Sequence, residues 1–188
     1  VCIRGAGAVG MSLALALSRQ GLRVALVASG DAPAGPDVRT YALNAGARDL
    51  LRVLKVWEAM PADALTPVHD MRVQGDAPGA ALGFSAWSQG VDALGWIVDA
   101  AELEAALRAA VRFAPHVQLM NDAPPAALRV LAEGKDSASR AALGVRFERH
   151  AYGQRAVAAR LVASQPHEGI ARQWFRAPDV LALLPFDR

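Results

Sequence analysis

Three glycines near the amino terminus have a spacing that suits a phosphate-bearing ligand. Gly5, Gly7 and Gly10 form the pattern Gly-x-Gly-x-x-Gly, with an apolar run before them and a stretch rich in alanine and leucine after them. In a strand–turn–helix unit, the first glycine permits a tight turn and the second lets the backbone approach a pyrophosphate, while the third allows close packing of helix and strand. The N-terminus of the helix offers free N–H groups and a partial positive charge to an anion.

The segments on both sides of this turn supply the context that the pattern requires. Residues 1–3 are predicted to form a strand, residues 11–20 a helix and residues 22–27 a second strand, so the chain opens with a βαβ unit. We therefore predict a dinucleotide site at the turn, Ala8 included, over the alternative of a glycine-rich turn that binds nothing. A carboxylate usually ends the second strand and binds the ribose hydroxyls, but Ala28 and Ser29 stand at this cofactor-binding position, where Ser29 would offer a weaker, neutral hydrogen bond.

Further elements follow in an order that mixes helices with strands. A helix is predicted over residues 44–60 with Asn44 as its N-cap, and another over residues 100–113. Residues 71–74 and 81–86 flank a glycine- and proline-containing turn and are predicted to form a hairpin. Later strands are predicted at residues 128–131, 145–147, 156–163 and 180–184. The fold class is therefore α/β: a Rossmann-like layer with an inserted, mainly antiparallel β region.

Composition excludes several classes of function. The chain has 188 residues with a net charge of +2 and interspersed charges, which does not favour nucleic-acid binding. Its one cysteine rules out an intrachain disulfide, and its four histidines lack the spacing of metal ligands, so no metal site is predicted. Neither a signal peptide nor a transmembrane run is visible, and we expect a cytoplasmic location. The chain starts inside a strand and ends without a closing helix, so we expect it to be a fragment.

Several later segments resemble, in order, the FAD-dependent aromatic hydroxylases of ubiquinone biosynthesis, which share the fold of para-hydroxybenzoate hydroxylase. The resemblance spans essentially the whole chain. Beyond the glycine turn, the matching segments are residues 39–44, 51–57, 94–98, 101–107, 133–140, 152–154, 166–171 and 181–185.

This resemblance implies the cofactors and the remaining site residues. FAD would be reduced by NAD(P)H, and O2 would then hydroxylate a small aromatic, phenolic substrate. Because the flavin carries the chemistry, no catalytic side chain is predicted. Arg39 would lie near the flavin and the ribityl chain, unless it is an ordinary exposed arginine. Glu133, Gly134, Ser137 and Arg140 match the motif Asp-Gly-x-x-Ser-x-x-Arg, with glutamate in place of the aspartate, and this motif serves FAD and NAD(P)H pyrophosphate binding unless it is only a surface turn that leads to a helix.

The resemblance also implies a domain division and partners. An FAD-binding domain would comprise residues 1–70 and 95–144, and residues 71–94 and 145–188 would form part of a substrate-binding sheet. The family's second FAD motif, a Gly-Asp-Ala segment that follows the Leu-Leu-Pro region at residues 183–185 by a long interval, and its C-terminal helix are expected beyond the printed residues. A complex of ubiquinone biosynthesis and peripheral membrane contact are expected for a polyprenylated substrate.

The chain departs from the family pattern at several positions. Ala28 replaces the ribose-binding acid, Ala101 stands where an arginine is usual, and Arg4 interrupts the apolar strand just before the glycines. These departures leave open a second hypothesis, a non-catalytic relative that acts as a binding or assembly partner. A third, an NAD(P)-dependent dehydrogenase, gives residues 133–140 no role.

Overall fold

The computed structural model describes residues 1–28 and 37–188, and their contacts divide into two compact units. The first unit comprises residues 1–37, 54–56 and 103–158, and the second comprises residues 38–53, 57–102 and 159–188. The predicted assignment of an FAD-binding domain and a substrate domain to particular ranges stays a prediction.

The described residues form eleven strands and five α-helices, and two or three strands often follow one another without a helix between them. The strands are β1 (Cys2–Arg4), β2 (Val24–Val27), β3 (Thr40–Leu43), β4 (Leu65–Val68), β5 (Asp70–Gln74), β6 (Ala81–Ser85), β7 (Gly95–Asp99), β8 (Val117–Met120), β9 (Arg129–Leu131), β10 (Ile170–Arg176) and β11 (Asp179–Leu183). The α-helices are α1 (Ala8–Arg19), α2 (Ala45–Val53), α3 (Ala86–Gln89), α4 (Ala100–Arg112) and α5 (Ala138–Ala142), and Trp57–Ala59 and Ala62–Ala64 are short 3-10 helices.

The first unit is built on a four-stranded parallel sheet. Its strand order is β8-β2-β1-β9, and each neighbouring pair runs parallel. Cys2, Ile3 and Leu26 are completely buried, because a parallel sheet is covered on both faces. The chain moves outward from β1 through β2 to β8 and then returns to place β9 on the other side of β1. The gap between the carboxyl ends of β1 and β9 is therefore the topological switch point, where sheets of this kind bind ligands.

Helix α1 connects β1 to β2 and packs through one face. Gly10, Met11, Ala14, Leu15 and Ser18 are its buried residues, at the three- and four-residue spacing of a helix side. The helix starts three residues earlier than predicted, directly after Gly7. The predicted βαβ opening is confirmed.

The helix predicted over residues 44–60 is shorter in the structure. The side chain of Asn44 caps it as predicted, since its Oδ1 accepts a hydrogen bond of 2.9 Å from the N–H of Ala47. Helix α2 ends at Val53, and Lys55 takes a left-handed backbone conformation with φ of 61°. The single predicted helix is therefore wrong beyond this point, because a left-handed residue breaks the repeat of helical hydrogen bonds.

The second unit contains two sheets, and most of their strand pairs are antiparallel. One has the order β3-β7-β4 and the other β11-β10-β5-β6, in which only the β10–β5 pair runs parallel. The predicted hairpin is confirmed as β5 and β6. Val68, Ile97 and Ala171 form a buried cluster against which Met71 and Phe186 pack. The predicted fold class, an α/β layer with a mainly antiparallel region, is confirmed.

Strand predictions in the last third of the chain were less successful. Residues 145–147 and 156–163 form no strand, and the side chains of Val157 and Val162 are almost fully exposed. In contrast, β3, β4, β7, β8 and β10 were not predicted. An apolar run forms a strand only where a partner edge is available, and the partner is not visible in the run itself. Within the described residues, no helix is both long and apolar enough to cross a membrane.

Candidate functional site

The glycine turn closes the space between β1, α1 and β9. The N–H of Gly5 donates a 2.8 Å hydrogen bond to the carbonyl of Val27, and Gly5 has a φ of 107°. A Cβ at Gly5 would lie 2.3 Å from the carbonyl oxygen of Ala132, and a Cβ at Gly10 would lie 1.8 Å from that of Gly5. Both contacts are with backbone atoms, so both positions require glycine for the turn and the helix to approach the sheet this closely.

Gly7 has a different environment, which fits the pyrophosphate of a dinucleotide. A Cβ at Gly7 would meet no atom of residues 1–28 and 37–188 within 4 Å. Gly7 is the N-cap of α1, where no side chain caps the helix and no acidic residue lies in the first turn. The N–H groups and positive dipole end of α1 are thus available beside open space at the switch point, and this arrangement binds anions.

The segment from Glu133 onward forms the other side of the switch point. Ser137 is the N-cap of α5: its Oγ accepts a hydrogen bond of 3.0 Å from the N–H of Arg140 and donates one of 2.6 Å to Glu133 Oε2. Gly134 has a φ of 78°, a left-handed conformation that glycine adopts without strain. The motif therefore has a local structural role, which is to turn the chain sharply after β9 and to start a short helix.

The Glu133 carboxylate pairs with Arg4 across the carboxyl ends of β9 and β1. Arg4 Nε lies 3.0 Å from Glu133 Oε1, and Ser139 Oγ donates to the same oxygen at 2.9 Å. The hydrogen bond from Ser137, followed by those from Ser139 and Arg4, outweighs the opposing effect of burial and lowers the pKa of Glu133. Sequence reasoning noted Arg4 only as a departure from an apolar strand. An arginine in an otherwise apolar strand was the signal that it has a buried partner.

A second group of residues surrounds the end of the same motif. The guanidinium of Arg140 lies over the Phe147 ring, 4.0 Å from its centroid, and that of Arg149 lies 5.6 Å from the same centroid. Arg149 also pairs with Asp136, and this interaction lowers the pKa of Asp136. Together these residues line a cavity of about 410 Å³ that has cationic and aromatic walls. Sequence reasoning predicted Arg140 but missed Phe147 and Arg149.

The other predicted cofactor residues are distributed more widely. Ala28 follows β2 directly and is exposed, and its methyl group accepts no hydrogen bond from a ribose. Ser29 lies outside the described residues. Arg39 is exposed in the second unit, and its carbonyl accepts a hydrogen bond of 3.2 Å from the N–H of Ala100. The cofactor-binding roles predicted for these residues stay predictions.

Ala101 lies at the start of α4, whose first turn is capped by a buried carboxylate. Asp99 Oδ1 accepts hydrogen bonds from the N–H groups of Ala101 at 2.8 Å and Glu102 at 3.2 Å. Asp99 Oδ2 accepts a hydrogen bond from Arg160 at 3.1 Å. The second unit therefore places an arginine close to Asp99 from a distant part of the chain, although position 101 itself carries none. No group of three or more His, Cys, Asp and Glu side chains in the described ranges is arranged to hold a metal ion.

The glycine turn, the open space at Gly7 and the strand order together identify a dinucleotide-binding unit, and a family comparison identifies the dinucleotide. The model of the FAD binding domain family matches residues 1–120. The chain belongs to this family. FAD is accordingly the cofactor that this family comparison supports.

Two curated relatives match this chain over almost its whole length. Ubiquinone hydroxylase UbiM of Neisseria meningitidis is 23% identical and is matched over 100% of this chain and 47% of its own length. Ubiquinone hydroxylase UbiL of Rhodospirillum rubrum is 27% identical over 98% of this chain and 48% of its own length. The chain thus spans about half the length of these relatives.

Solved structures show that the same fold occurs in PqsL and in a p-nitrophenol 4-monooxygenase. PqsL of Pseudomonas aeruginosa, in complex with 2-aminobenzoylacetate, has a TM-score of 0.62 and 19% identity over 80% of this chain and 47% of its own. The p-nitrophenol 4-monooxygenase PnpA of Pseudomonas putida has a TM-score of 0.60 and 16% identity over 76% of this chain and 42% of its own. These similarities establish the fold.

Proposed function

We propose that the protein is an FAD-dependent monooxygenase that hydroxylates an aromatic, phenolic substrate with NAD(P)H and O2. The observation that carries this proposal is the switch point itself. A glycine turn with open space at Gly7 lies there beside the loop that begins at Glu133. This is the pair of elements expected for an FAD-dependent hydroxylase.

Within the described residues, the protein's part in this function is binding and orientation. The first-turn N–H groups of α1, after Gly7, would hold the FAD pyrophosphate. Ser137 and Glu133 would fix the loop on the other side of β1. When bound, FAD supplies the redox chemistry that activates oxygen.

The names of the relatives support a particular class of substrate. Besides the two ubiquinone hydroxylases, the 3-demethoxyubiquinol 3-hydroxylase of Escherichia coli is 32% identical over 63% of this chain and 32% of its own length. We therefore propose a polyprenylated phenol of ubiquinone biosynthesis as the substrate. A complex of biosynthetic enzymes and contact with a membrane surface would follow from the poor water solubility of such a substrate.

The cationic cavity at Arg140 supports NAD(P)H as the reductant. Arg140 and Arg149 both lie against the aromatic ring of Phe147, Asp136 pairs with Arg149 at the same cavity, and guanidinium groups recognise phosphates well. Arg140 would bind the NAD(P)H pyrophosphate at this cavity, as predicted from its motif.

The test uses the purified full-length protein. After incubation with FAD and removal of free cofactor, we expect a bound-flavin absorption spectrum. We also expect oxidation of NADH or NADPH that candidate phenols stimulate, and a product that has gained one oxygen atom by mass spectrometry. An Arg140→Met variant should retain the flavin spectrum and oxidise NAD(P)H with a raised KM. If the protein acquires no flavin spectrum, the proposed function is wrong.

A second candidate function, a non-catalytic binding partner, is favoured by Ala28. The carboxyl end of β2 carries a methyl group where an acid would accept hydrogen bonds from the ribose. If this candidate is correct, the native full-length protein binds no FAD and the double variant Ala28→Glu, Ala101→Arg gains flavin binding. Tight FAD binding by the native protein would exclude it.

A further inference from the structure

The ion pair between Arg4 and Glu133 joins two departures from the family pattern at one place in the fold. Arg4 replaces an apolar residue at the end of β1, and Glu133 replaces an aspartate after β9. These two strands flank the switch point, so the pair lies where the sheet receives its ligand. The pairing suggests that the two residues act together.

Both carboxylate oxygens of Glu133 accept hydrogen bonds from groups of the protein. Oε1 accepts hydrogen bonds from Arg4 Nε and Ser139 Oγ, while Oε2 accepts from Ser137 Oγ and the N–H of Ser139. Only 7% of the Glu133 side chain is exposed. A carboxylate with these partners and this burial holds its neighbours in place and has little capacity left for a ligand.

Arg4 is in the opposite situation. Its Nε donates to Glu133, 40% of its side chain is exposed, and its guanidinium makes no other hydrogen bond with residues 1–28 and 37–188. A guanidinium carries five N–H donors in a planar fork, so one edge can bind a carboxylate while the terminal amino groups bind a second anion. Arg4 immediately precedes Gly5, at the start of the turn that faces the phosphate site.

We propose that Arg4 is a phosphate-binding residue for the FAD pyrophosphate and that Glu133 is the positioning residue that holds its guanidinium. This inference rests on the proposed use of FAD. It changes the role predicted for Glu133 from cofactor contact to support of a contact. It also gives the chain a charged ligand for the cofactor. This ligand lies on one side of β1, and Ala28, the position at which the ribose-binding acid is missing, lies on the other.

The experiment compares three ligands that differ in their phosphates, using the full-length protein. FAD and ADP carry the pyrophosphate, and riboflavin carries none. Their affinities are measured by calorimetry and flavin fluorescence for the wild type, Arg4→Met, Arg4→Lys, Glu133→Gln and the double variant Arg4→Met, Glu133→Gln. Arg52→Met is the matched control, because it removes an equally charged arginine from an exposed ion pair with Glu58 in the second unit.

We expect Arg4→Met to weaken FAD and ADP binding by roughly tenfold to a hundredfold and to leave riboflavin binding unchanged. Arg4→Lys should retain part of the affinity, and Arg52→Met all of it. Glu133→Gln should weaken FAD binding severalfold in the wild-type background and have no further effect in the Arg4→Met background, because Glu133 acts through Arg4. The affinity of Arg4→Met for FAD should also depend less steeply on salt.

Three outcomes would overturn the inference, and they are distinguishable. If the wild type binds FAD and Arg4→Met binds it equally well, Arg4 makes no phosphate contact and the proposed function stands. If Arg4→Met loses riboflavin as strongly as FAD and its ligand-free form unfolds at a lower temperature, the ion pair is only structural. If the wild type binds neither FAD nor ADP, both the inference and the proposed function are wrong.

Discussion

Replacing Gly10 or Gly7 with alanine should separate the folding role of the glycine turn from its binding role. A Cβ at Gly10 would lie 1.8 Å from the carbonyl oxygen of Gly5, about 1.6 Å short of the 3.4 Å at which ordinary contact begins. Both atoms belong to the backbone, so helix α1 must move away from β1 to relieve the clash. At Gly7, by contrast, the added methyl group meets no atom within 4 Å in the part of the chain that the structure describes.

The expected magnitudes follow from these contacts. Overpacking costs about 1–3 kcal/mol and sometimes more, and the closeness of the Gly10 contact places it at the upper end. Alanine regains about 1 kcal/mol as the better helix former, which leaves a net loss near 2 kcal/mol. For a protein of this length, that loss lowers the Tm by about 4–8 °C. Gly7→Ala should change the free energy of unfolding by less than about 1 kcal/mol, the effect of a poorer N-cap.

Binding should show the reverse order. The Gly7→Ala methyl group would occupy the space through which the pyrophosphate approaches the backbone, so we expect the Kd for FAD to rise at least tenfold, or about 1.4 kcal/mol. The assay combines thermal unfolding of the ligand-free full-length protein with a fluorescence titration of FAD. The reasoning is refuted if Gly7→Ala lowers the Tm as much as Gly10→Ala, or if Gly7→Ala binds FAD like the wild type.

Three further predictions concern stability. Leu107→Ala, at a completely buried position of α4, should cost about 2–5 kcal/mol, whereas Phe113→Ala, at a side chain that is 87% exposed, should cost almost nothing in the same denaturant titration. Asp99→Ala should lose about 1–2 kcal/mol with its helix cap, and Asp99→Asn less because an oxygen remains; equal losses would show that the cap contributes little. Folding lowers the pKa of Glu133, so its ionised carboxylate stabilises the folded protein fully above the ordinary pKa of 4.5, and this contribution is lost as the pH falls through the lower folded pKa. Glu133→Gln should therefore flatten the acid limb of the curve of unfolding free energy against pH. An unchanged acid limb would contradict this reasoning.

Local chemistry explains which elements could be predicted from the sequence. Gly5 and Gly10 sit between an apolar strand and an apolar helix, and that order along the chain is itself the signal for a βαβ unit. Asn44 likewise predicted a helix start from the preference of its side chain for the N-cap. In both cases the residues that decide the structure lie within a few positions of one another.

Elements that depend on distant partners were predicted poorly. Residues 156–163 have the composition of a strand, yet they form none in the structure, while β10, which was not predicted, pairs with both β5 and β11. Composition states that a run is able to form a strand, but the hydrogen bonds that make it one come from another segment.

The candidate site also has features that local sequence decides and features that depend on distant segments. By itself, the sequence determined that a glycine turn ends a strand and starts a helix, because glycine's backbone freedom and the apolar runs around it act locally. Only the tertiary structure decided that β9 lies beside β1, and therefore that Arg4 and Glu133 form an ion pair although they are 129 positions apart. That pairing changes what each residue can do, since a carboxylate that already accepts hydrogen bonds from its neighbours has little capacity left for a ligand, whereas an isolated carboxylate keeps all of its lone pairs available.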